Sequence, residues 1–162
     1  MNKLREKVAH LRENLEAAIM VEQELAERLR GQEKAMLEGV ADQIHAANSA
    51  LDRVYDELRQ VAETCRRAVA DLHVDLDLTM GVSLGKVIAS LPQNLVPELE
   101  GSSRRLRQAR VTARSQSSRN VTIARTSLDA IASIRGIFGA AHADQGGTHN
   151  SSPSLSRLDA QA

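Results

Sequence analysis

Between residues 40 and 72, apolar or small side chains recur at Val40, Ile44, Ala47, Leu51, Val54, Leu58, Val61, Cys65, Ala68 and Leu72. The spacing alternates four, three, four, three along the whole stretch. Only a helix carrying a heptad seam places such residues on one side. An earlier segment repeats the pattern at Leu4, Val8, Leu11, Leu15, Ala18, Leu25 and Leu29, with Glu22 as its one polar seam position. The spacing predicts a first helix over about 3–36 and a second over about 40–73, each ~50 Å long at 1.5 Å per residue. The link between them, "EGVAD", is short, so the two helices are expected to form an antiparallel hairpin.

The rest of the 162-residue chain agrees with an all-α fold. Aromatic residues make up 1% of it, Tyr55 and Phe138 alone, and the apolar share is mostly Leu, Ala, Ile and Val. Three prolines, Pro92, Pro97 and Pro153, leave two long tracts free of helix breakers. Residues 74–96 lose the heptad and hold two glycines and a proline. A loop and a short helix from Ser83 to Leu91 are expected there. Pro97, followed by Glu98 and Glu100, suits the first turn of a third long helix. That helix is expected to run to Phe138 and stop at Gly139. Its seam is poorer, with Leu99, Leu106, Ala113, Asn120, Ser127 and Ile134 on one row, and "SQSSRN" at its centre is expected to bury little. The fold expected is an elongated antiparallel bundle of three long helices, with a short extra helix between helices 2 and 3. From Ala140 onward Gly, Ser, His and Asn replace the periodicity. Residues 1–139 therefore read as a helical bundle domain and residues 140–162 as a flexible disordered tail.

Catalytic constellations are missing from the sequence. None of His10, His45, His73, His142 and His149 stands three or four residues from another, so no helical metal pair forms. Cys65, the only cysteine, lies on a seam and reads as a small core residue. "TMGVSLGKV" lacks the spacing of a phosphate loop. The chain reads as no enzyme, with no cofactor. It shows no signal-peptide pattern and no run of transmembrane length, so a cytoplasmic protein, not membrane-embedded, is expected.

Two features invite a partner. The first is a basic run. Arg104, Arg107, Arg110, Arg114, Arg125 and Arg135 fall within an arc of about 140° on a helix turning about 100° per residue. Such a stripe can bind phosphates. It can equally line the flank of helix 3 and pair with acids of helices 1 and 2. Charge favours the second reading. Residues 1–100 carry 12 Lys and Arg against 18 Asp and Glu, whereas residues 101–162 carry 9 against 3. The net charge is zero, and no aromatic side chain is interleaved for base stacking. The second feature is the apolar end of helix 3, with Val121, Ile123, Leu128, Ile131, Ile134, Ile137 and Phe138. These cover more than one face. Either the other helices bury them all, or some remain for a partner helix.

Taken together, the chain resembles the FlgN-type flagellar export chaperones over nearly its full length. "VEQELAERLRGQEKAML" is similar to that family's first helix, and the glycine-containing break after helix 2 fits. "SSRNVTIARTSLDAIASIRGIFG" is similar to its last helix, where an asparagine precedes an apolar stretch and a glycine. The end "RLDAQA" is similar to its Gly/Ser-rich tail. The resemblance implies a bacterial cytoplasmic chaperone for hook–filament junction proteins, FlgK or FlgL, gripping their C-terminal helices before secretion. Asn120, Val121, Ile123, Leu128, Ile131, Ile134, Ile137 and Phe138 would form the partner surface. Many family members carry a tail tyrosine four residues before a glycine, linked to docking on the export gate protein FlhA. His142 stands four residues before Gly146 here. His142, Leu155 and Leu158 are thus the implied docking residues, with the export ATPase a further partner. The chain would act as a monomer or homodimer without nucleotide or metal. Two other readings stay open: a nucleic-acid-binding helical protein, and a structural coiled coil dimerising through the helix 2 seam.

Overall fold

The computed structural model describes residues 2–79, 81 and 83–146, with the backbone alone at residue 2 and over 137–146. All its elements are helices: α1 over Asn2–Glu38, α2 over Ala41–Asp75, α3 over Leu84–Ala89 and α4 over Val96–Gly146. The chain divides into two compact units, Met1–Ile123 and Ala124–Ala162, and α4 contributes to both.

The first unit is built on the two seams. Every α1 seam position from Val8 to Leu29 is buried, Glu22 included, and Leu4 is half-buried. On α2, Leu51, Val54, Ala68 and Leu72 are buried and the other seam positions from Ile44 to Cys65 are half-buried. Val40 is exposed because it is the N-cap of α2, outside the helix. Between the helices Gly39 takes φ +70°, and its N–H donates to the Ala35 carbonyl at 3.1 Å. That left-handed residue closes α1 and turns the chain, at a conformation glycine adopts without strain. Contacts between α1 and α2 run in opposite order. Lys7 meets Asp75 at 2.7 Å, Cys65 donates to the Asn14 carbonyl at 3.3 Å, and Gln32 donates to Asn48 at 2.7 Å. The seam of α2 thus faces α1.

Two buried clusters form the core. The larger joins Val8, Leu11, Leu15, Ala18 and Ile19 to Ala68 and Leu72, to Val87 and Ile88 of α3, and to Leu91, Leu95, Leu99 and Leu106. The smaller joins Leu25, Ala26 and Leu29 to Leu51, Val54 and Ala113. Burying a leucine fully contributes about 1.5–3 kcal/mol, so these stripes hold the helices together far more than any surface pair does.

Three expected boundaries shift. The short helix is shorter, Leu84–Ala89, with Ser83 at its N-cap and Leu91 buried just beyond it. The third long helix does not stop at Gly139 but continues to Gly146. A single glycine inside a helix costs only about 1 kcal/mol, and Ala140, Ala141 and Ala143 on its far side are strong helix formers. Nor does the "SQSSRN" stretch bury little. Gln116 and Asn120 are both buried. The remainder of the expected tail, 147–162, lies outside the described residues.

Candidate functional site

The face of α4 in the first unit is a hidden heptad. Leu99, Ser102, Ser103, Leu106, Ala109, Ala113, Gln116 and Asn120 are all buried. Apart from the adjacent Ser102 and Ser103, they recur in the three- and four-residue steps of a seam, but half of the positions are polar. Three of the four buried polar side chains, Ser102, Gln116 and Asn120, bond to α1. Ser102 donates to Glu16 at 2.6 Å. Gln116 donates to Glu33 and, at 3.1 Å, to the Asn120 side-chain oxygen. Asn120 donates to the Leu29 carbonyl at 2.8 Å and to Gln32 at 2.7 Å. Gln32 passes the chain on to Asn48 of α2. A connected, satisfied network of this kind fixes register, because slipping one helix turn would strand buried donors and acceptors.

The arginines of α4 take the quieter role in part. Arg105 pairs with Glu16, Arg110 with Glu22 at 3.1 Å, and Arg119 with Glu33 at 3.0 Å. Partner numbers on α1 and α4 rise together. Of the six stripe residues named from the sequence, Arg110 alone reaches α1, while Arg104 pairs with Glu100 on its own helix. Arg107, Arg114, Arg125 and Arg135 are exposed and make no ion pair among the described residues. Sequence reasoning had the partners right in kind and missed Arg105 and Arg119. Their signal was available: both lie beside the hidden seam, where a long side chain spans to the neighbouring helix.

The expected partner residues separate by unit. In the first unit Asn120, which also lies on the seam row of the third long helix, is buried and bonded to α1. Val121 is exposed and Ile123 half-buried. In the second unit Leu128, Ile131 and Ile134 are 65%, 49% and 53% exposed. Their three-residue steps place them within about 120° of one another around the helix. Ile137, Phe138 and His142 have side chains outside the described residues, as Leu155 and Leu158 are outside them altogether.

Among the described residues there is no group of three or more His, Cys, Asp or Glu able to hold a metal ion. No helix there is long and apolar enough to cross a membrane. Burial raises the Cys65 thiol above its ordinary range, an effect that the nearby Arg110 partly offsets, so this sulfur is no activated nucleophile. Compared with known protein families, curated proteins and solved structures, the chain matches none.

Proposed function

We propose that this chain is a FlgN-like secretion chaperone, folded as an elongated antiparallel bundle of three long helices with the short α3 between the second and third. In the bacterial cytosol it binds the C-terminal helices of hook–filament junction proteins, keeps them soluble and unassembled, and delivers them to the export apparatus. The observation that carries the reading is the exposed stripe Leu128, Ile131 and Ile134 on α4. Three large aliphatic side chains at helical spacing, left in water, suit an amphipathic helix laid against them. Ile137 and Phe138 extend the stripe in sequence. Helix-on-helix docking requires no cofactor. Docking on the gate protein FlhA through His142, Leu155 and Leu158 belongs to the same reading.

The test is binding of a junction-protein C-terminal peptide by calorimetry, with wild type and Ile131→Asp. A buried aspartate costs several kcal/mol, so the variant loses binding while its helical circular dichroism stays unchanged. Full-strength binding by Ile131→Asp refutes the site.

A second reading is favoured by the four arginines of α4 that make no ion pair. They would give nucleic-acid binding whose affinity falls steeply with salt. A gel shift without complex at low salt removes it.

A further inference from the structure

In the second unit Leu128, Ile131 and Ile134 of α4 leave about half of their surface or more in water. Among the described residues nothing buries them. A helix in water draws most of its stability from packing an apolar face, yet α4 stays helical to Gly146. Arg135 flanks the stripe, about 40° around the helix from Ile131. It is exposed and makes no ion pair among the described residues.

A cover of matching chemistry stands downstream in the same unit, outside the described residues. Leu155 and Leu158 are one helical turn apart in "SSPSLSRLDA". Pro153 suits the first turn of a helix and Ser152 its N-cap. On such a helix Asp159 falls about 70° from the middle of the two leucines, in the same rotational sense as Arg135 from its own stripe. Flanks of like sense meet when two helices run antiparallel. Reach allows that pairing. Gly146 lies 12 residues beyond Ile134, about 18 Å along α4. Leu155 lies nine residues beyond Gly146, and nine extended residues reach about 30 Å. With Leu155 set at Ile134, Leu158 falls at Ile131, because three residues advance both helices by the same distance.

We propose that residues 153–160 fold back as a short helix antiparallel to α4 and cover this stripe. Leu155 lies against Ile134, Leu158 against Ile131, and Asp159 beside Arg135. The link is the six residues 147–152. A tether this short holds the segment at roughly millimolar effective concentration, so a modest contact keeps it closed. A partner helix then meets a stripe that is open only part of the time, and its apparent affinity falls by that fraction. The inference rests on the exposed stripe and not on the chaperone reading, which assigns the same two leucines to a gate protein.

The test uses the full chain carrying Cys65→Ala and Ala160→Cys, with a nitroxide on the new thiol and isotope-labelled amides read by magnetic resonance. Residue 160 falls on the far side of the segment from Leu155 and Leu158, so the label leaves the contact free. Closure is expected to broaden the amide signals of residues 126–136, equally at high and low chain concentration. Adding Leu155→Asp and Leu158→Asp should lower the closed-to-open ratio about tenfold or more. Arg135→Glu should lower it about two- to fivefold, and Asp159→Arg in the same chain should restore it. Four results overturn the proposal: no broadening over 126–136, broadening that survives the two aspartates, a charge swap that fails to restore the ratio, or broadening seen only between mixed chains (one carrying the nitroxide, the other the isotope). Binding of a junction-protein peptide is not among these readouts, so the chaperone reading can fail without touching this one.

Discussion

Asn120 donates its side-chain amide to the backbone carbonyl of Leu29 at 2.8 Å, from a position 5% exposed. The same amide group donates to Gln32, and its oxygen accepts from Gln116. One side chain on α4 thereby satisfies three groups, two of them on α1. Asn120→Ala removes all three bonds and leaves Gln116 and Gln32 short of partners inside the core. The expected loss is about 1–3 kcal/mol, read as a lower urea midpoint with an unchanged slope. Asn120→Leu should cost less, since it replaces the polar group with an apolar one of similar volume. Its expected signature is loss of a single register, seen as peak doubling in amide spectra.

Glu22 and Arg110 form a one-sided ion pair: the glutamate side chain is 8% exposed and the arginine 56%. Removing the arginine strands a buried carboxylate, whereas removing the glutamate frees an arginine that water already reaches. Arg110→Ala is therefore expected to cost about 2–4 kcal/mol, and Glu22→Gln clearly less. Arg104→Ala, which breaks the exposed pair with Glu100, should stay within about 0.5 kcal/mol. Urea unfolding of the three variants, with the Glu22→Gln/Arg110→Ala double variant closing the cycle, checks the order.

The hairpin of α1 and α2 was legible because its seams are written in Leu, Val, Ala and Ile, which no other structure arranges in steps of three and four. The seam of α4 was legible only in part, as the row Leu99, Leu106, Ala113 and Asn120. Ser102, Ser103, Gln116 and Asn120 occupy positions where a reader of hydropathy looks for leucine. Ser102, Gln116 and Asn120 are buried against matching groups on Glu16, Leu29, Gln32 and Glu33 of α1, and pairing between helices is not visible in one segment. Gly139 misled for the opposite reason. A local stop signal was read where the alanines beyond it keep the helix going. For the apolar end of α4 the sequence holds a surplus of aliphatic residues over a single stripe and leaves both outcomes open. Whether another helix covers them is not written in that segment; Leu128, Ile131 and Ile134 are exposed.

Cys65 gives a pH-dependent handle. Burial raises its thiol above the ordinary 9.0, with Arg110 acting in the opposite direction. The folded chain thus holds this proton more tightly than the unfolded chain does. The resulting stability is complete below the ordinary value and declines as pH rises through the folded one. Urea midpoints at pH 8 and pH 10 should differ more for wild type than for Cys65→Ala, which has nothing to titrate there. In the same pH 8 buffer, labelling by an uncharged thiol reagent should be at least about tenfold slower in the folded protein than in urea.

Two glycines of the hairpin predict effects of opposite sign. Gly31 sits inside α1, is exposed, and has nothing within 4 Å of the place a Cβ would occupy. Gly39 has equally open space but holds φ +70°. For Gly31→Ala the helix gains a better former, and the unfolded chain loses conformational freedom. Stability should rise by about 0.5–1 kcal/mol. Gly39→Ala places a Cβ in the left-handed region and should lower stability by about 1 kcal/mol. Space is identical at the two sites, so an equal response from both would show that the turn does not hold its left-handed conformation in solution. Urea unfolding of both single variants in one buffer decides it.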